Sequence, residues 1–95
     1  MTQRYIAGEL SVLLAGLQAA ATDEVAAREV ARLRRAAETL PLSALSDVEI
    51  RALEVADGLC WVCLARGDPT GFDRLAVLGA RLREFGLCSG LLHDG

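Results

Sequence analysis

Apolar residues recur along this chain at steps of three and four, the spacing that gathers side chains on one face of an α-helix. From about Thr2 to Ala21 the repeat is Ile6, Leu10, Leu13, Leu17 and Ala20. Ala7, Ser11, Ala15 and Ala19 form a second stripe round the same cylinder, made of small side chains. Small residues four apart let another backbone approach closely, a rule established best in membranes and carried over here by geometry alone. This first helix is expected to be contacted on both sides, and those four residues are candidate interface positions.

Thr22 is placed to cap a second helix, with Asp23 and Glu24 in its positive first turn. Its stripe is Ala26, Val30, Leu33, Ala37 and Leu40, one residue out of phase with the first. The shift favours a turn near residue 22, although one long helix over 2–40 with a drifting stripe also fits. Pro41 prevents simple continuation and biases Leu40 toward an extended conformation.

Ser46 with Glu49 reads as a capping box that opens a third helix, running to about Arg66. Gly67 then supplies a C-cap. Asp68 before Pro69, or Thr70 with Asp73, caps the fourth helix. In that helix Phe72, Leu75, Leu78, Leu82 and Phe85 face one way, while Asp73, Arg74, Arg81 and Glu84 face away, and Gly86 is expected to stop it. Short joints favour antiparallel neighbours. The pattern therefore predicts an all-α, up-and-down four-helix bundle, with helices at about 2–21, 23–40, 47–66 and 69–85. Residues 1–95 make one domain that ends in a short tail, 87–95.

Composition sharpens this picture. Apolar residues make up 53% of the 95 positions and charged residues 24%, outside the disorder regime. The apolar mass is Ala and Leu, which favours helix over sheet. A mean hydropathy of +0.33 on so short a chain leaves more apolar surface than one small core can bury. A net charge of −3 argues against a dedicated nucleic-acid binder. All ten basic residues are Arg, a bias that suits a GC-rich, bacterial-like genome. The stretch "RYIAGELSVLLAGLQAAA" imitates a signal peptide, but Glu9 interrupts it and it is too short to span a bilayer. It is expected to be a core helix, with no membrane anchor. Three cysteines, an odd number, point to a reducing cytoplasm and not to a disulfide framework.

The segment "GLCWVCLARGD", residues 58–68, carries the candidate chemistry. On a helix, Cys60 and Cys63 point the same way, within the arc of Val48, Ala52, Leu53, Ala56, Leu59 and Leu64. The expected role is that of small, buried, inert core residues. A zinc site using Cys60, Cys63, Cys88 and His93 is the sharper alternative, although a single Cys pair is a weak pattern. A thiol switch is another, with Cys88 the better partner for either residue because positions three apart on a helix need distortion to bridge. A thioredoxin-like pair opens a helix after a strand, and this one lies deep in a helix.

Trp61 falls elsewhere on the wheel, with Ile50, Glu54 and Asp57 near the polar border. It reads either as an interface anchor together with Ile50 or as a ring laid over the edge of its own bundle. Arg28, Arg32 and Arg35 share one face of the second helix; they could grip phosphates, but neighbouring Glu24 and Glu38 suggest a solvated face. One His, no Ser-His-Asp set and no Gly-rich phosphate loop leave no case for an enzyme and imply no cofactor. The function expected is a cytoplasmic protein-interaction module that self-associates, as a homodimer or with another helical protein. A thiol- or zinc-dependent sensor is the alternative, and a small-molecule pocket lined by Leu and Cys is a third.

Overall fold

The computed structural model describes residues 2–39 and 41–88, with the backbone alone for residues 2–6, 42, 43, 87 and 88. Four helices follow one another: α1 (Thr2–Ala20), α2 (Glu24–Thr39), α3 (Leu42–Arg66) and α4 (Pro69–Cys88). Each packs on the next, α4 closes against α1, and α1 also touches α3 across the diagonal. Among the described residues α2 and α4 do not meet. This is the expected up-and-down four-helix bundle, 42 × 24 × 17 Å in extent.

The break between α1 and α2 settles the one-helix question in favour of two. The cap is Asp23, one residue beyond the expected Thr22: the Ala26 N–H donates to Asp23 Oδ1 at 2.7 Å. Asp caps at least as well as Thr and adds a negative charge at the positive end of the helix.

The start of α3 departs further from expectation. The helix begins at Leu42, behind an extended Pro41 (φ −69°, ψ 161°), so Ser46 and Glu49 lie inside it and form no capping box. Burial decides this. An extra turn at the front carries Leu45 fully into the core. Burying a leucine stabilises by about 1.5–3 kcal/mol, against about 1 kcal/mol for a cap.

The joint between α3 and α4 is built as the sequence implies. Gly67 adopts the left-handed conformation (φ 68°, ψ 39°). The Gly67 N–H donates to Leu64 O at 3.2 Å and the Asp68 N–H to Cys63 O at 2.9 Å, a Schellman closure. Of the two expected caps for α4, Asp68 is used, its Oδ1 accepting the Gly71 N–H at 3.0 Å with Pro69 as the first helical residue. Gly86 does not stop the helix. It is buried, its φ is not positive, and α4 continues to Cys88.

One core joins the four helices. It takes Leu10, Leu14 and Leu17 from α1, Val30 and Ala37 from α2, and Leu75, Leu82 and Phe85 from α4. On α3 the buried stripe runs Leu45, Val48, Ala52, Ala56, Leu59 and Cys63. Ile6 and Leu40, expected in the stripes, lie outside the described side chains. Arg51 of α3 bridges Glu29 of α2 at 2.7 Å and, within its own helix, Glu54 at 3.3 Å.

Gly71 is a point of close approach. A Cβ there would overlap the Asp68 carboxylate and press on Cys63 Sγ at 3.0 Å. Gly71→Ala is therefore expected to destabilise the protein by about 1 kcal/mol, the loss of cap and packing outweighing the better helix propensity. A lower urea midpoint would show it, and an unchanged or higher midpoint would contradict the packing described.

Candidate functional site

The helix face carrying "CWVC" divides its residues between core and surface. Cys63 is buried, its sulfur against the first turn of α4 at Gly71. Cys60, one turn earlier, is half-buried, and both thiols are free. Burial pushes the Cys60 thiol above its ordinary value, and the neighbouring Asp57 and Cys63 push the same way. A thiol held protonated is a poor nucleophile and a poor metal ligand.

Leu64, expected in the core arc, is instead 56% exposed. The contact strip of α3 is narrow: positions 45, 52, 56, 59 and 63 keep to one line, and Leu64 lies about 100° beyond Cys63. Trp61 is 71% exposed. These two side chains stand on the wall of a groove of about 420 Å³ between α3 and α4. Cys60 and Phe72 line it with them, and Ala76, Gly79 and Ala80 on α4 leave it room. Asp57 on α3 and Arg83 on α4 add one charge of each sign. Among the described residues neither forms an ion pair.

The structure does not bring the other candidate residues to this groove. Ile50 is 45% exposed but lies eleven residues from Trp61, about 16 Å along the helix. On α1, Ala7 packs against the core, Ala15 is half-buried and Ala19 is exposed. Ser11 Oγ donates to Glu38 Oε1 of α2 at 3.4 Å, so this stripe turns partly toward the chain's own second helix. The Cys88 side chain and His93 lie outside the described residues. Within the described residues no group of three or more His, Cys, Asp or Glu is arranged to hold a metal ion. On α2, Arg28 pairs with Glu24 at 2.7 Å, while Arg32 and Arg35 are exposed. Arg34 turns to Gln18 Oε1 of α1 at 2.9 Å. No helix among the described residues is long and apolar enough to cross a membrane.

Glu49 is the residue that sequence reasoning misplaced. It is fully buried, and neither carboxylate oxygen has a hydrogen-bond partner. It sits on the core line of α3 between Leu45 and Ala52. Desolvation raises its pKa from the ordinary 4.5, against the opposing field of Arg83. The signal was present in the four-three spacing of Leu45, Glu49 and Ala52, and it becomes legible once the helix is extended upstream of Ser46.

Compared with known protein families, with characterised proteins and with solved structures, the chain matches none.

Two expectations follow. The folded chain holds a proton on Glu49 at pH values where the unfolded chain has released it. Stability should therefore fall as pH rises from about 4.5 through the raised value and then level off. Glu49→Gln should lose that slope, and Glu49→Leu should gain about 1 kcal/mol or more near neutrality. Urea midpoints across a pH series measure both, and parallel curves for wild type and Glu49→Gln would contradict the assignment. At neutral pH, Cys60 should react with a thiol reagent more slowly in the native chain than in the urea-unfolded chain, as the rate of thiol titration reports.

Proposed function

We propose that this chain is a non-enzymatic helical interaction module that pairs with a second copy of itself through the groove between α3 and α4. The observation that carries this reading is Trp61, 71% exposed beside Leu64 on the wall of an apolar groove. Tryptophan left in water forfeits a large burial gain, and it dominates binding energy where it anchors an interface. A two-fold interface pairs one surface patch with its own copy, so a patch suited to it carries both partners of every contact. This groove offers an apolar anchor and a recess, together with an acid, Asp57, and a base, Arg83, neither of them ion-paired among the described residues. The free thiols of Cys60 and Cys63 are in keeping with a reducing cytoplasm.

Sensing through Cys60, Cys63 and Cys88 has weaker support, because Cys60 is held protonated and Cys63 is buried.

Size-exclusion chromatography with light scattering tests the proposal. The wild type should run as a dimer at about 100 μM. Trp61→Ala should weaken association by about 2 kcal/mol or more, roughly thirty-fold, with helix content unchanged because the side chain is outside the core. A wild-type monomer at that concentration would contradict the reading.

A further inference from the structure

Glu49 and Arg83 connect the core to the groove. Glu49 contributes a fully buried carboxyl without a hydrogen-bond partner. A buried polar group in that state lowers stability, and a leucine on the same line would pack without the penalty. Of the charged groups on the helices packed against α3, Arg83 of α4 is the one whose field reaches this carboxyl among the described residues. The same Arg83 lines the groove, whose other charged lining residue is Asp57. One guanidinium therefore acts on a buried carboxyl and lines a groove with an exposed one, and is ion-paired to neither in this structure.

We propose that the ionisation state of Glu49 regulates self-association at the groove, with Arg83 as the side chain that moves. The inference rests on the reading of the groove as a self-association surface. While Glu49 is protonated it needs no counter-charge, and Arg83 stays at the groove, free to meet the Asp57 of the partner copy. When Glu49 releases its proton to solvent, a bare carboxylate is left in the core. An uncompensated buried charge is strongly destabilising, so the nearest cation is drawn toward it. Arg83 then leaves the rim, and both copies lose a charge complement at the interface. Association is favoured at low pH and weakened as pH rises. Linkage requires the converse: pairing holds Arg83 at the groove and so favours the protonated form of Glu49.

Sedimentation equilibrium of the full chain at about pH 5 and about pH 8 tests this. Wild-type dimer affinity should fall by about tenfold between the two. Glu49→Gln should hold its affinity at both, and Glu49→Leu serves as a second neutral variant should the first fold poorly. Arg83→Gln should associate weakly, without the pH response. A wild-type dimer whose pH response is shared by both neutral variants would overturn this inference and leave the interaction reading standing. A wild type that is monomeric throughout would overturn both.

Discussion

The packing of α3 against all three other helices sets the geometry of this bundle. Ala52 and Ala56, both fully buried, lie mid-way along the inner line of α3. Their small side chains let α1 reach α3 across the diagonal while α4 lies alongside. The core around them is completed by Leu10, Leu14 and Leu17 of α1 and by Leu75, Leu82 and Phe85 of α4. A contact line this narrow cannot cover the whole apolar arc of α3. Trp61 and Leu64 therefore fall outside it, and the groove beside them is a product of the packing that forms the core.

The same line explains the cysteines. Cys63 is on it and works as a small apolar filler beneath Asp68 and Gly71, where the α3–α4 joint needs a compact neighbour. Cys60 is one step off it and meets the groove, with burial and Asp57 both opposing its ionisation. Two sulfurs three residues apart thus have different surroundings. Glu49 shows the opposite case. It is a group that would be comfortable at a helix end, carried into the core because the helix starts a turn earlier to bury Leu45.

Periodicity made most of this architecture legible. The fourth helix reads almost directly, since Leu75, Leu82 and Phe85 are its buried apolar side chains and its charges face solvent. Gly67 and Asp68 were legible for a chemical reason: a left-handed residue and an N-cap are local requirements that few side chains satisfy. Capping alone misled at Ser46 and Glu49, where local hydrogen-bond chemistry lost to burial of a leucine. Gly86 misled in the same way, because a glycine stops a helix only if the chain has somewhere else to go. As for the site, the exposure of Trp61 could be read from its place on the wheel. The groove could not, since it depends on the small residues Ala76, Gly79 and Ala80 of α4 lying beside it.

These features describe a module whose outer surface follows from the way its core is packed. The groove sets an exposed indole beside one acid and one base. The most direct measurement is the emission of Trp61, the single tryptophan of the chain, followed across a dilution series. Burial of the indole at an interface predicts a blue-shifted maximum at high concentration that moves to the red on dilution, in step with the loss of dimer mass. An emission maximum fixed at the solvent-exposed position at every concentration would contradict the account.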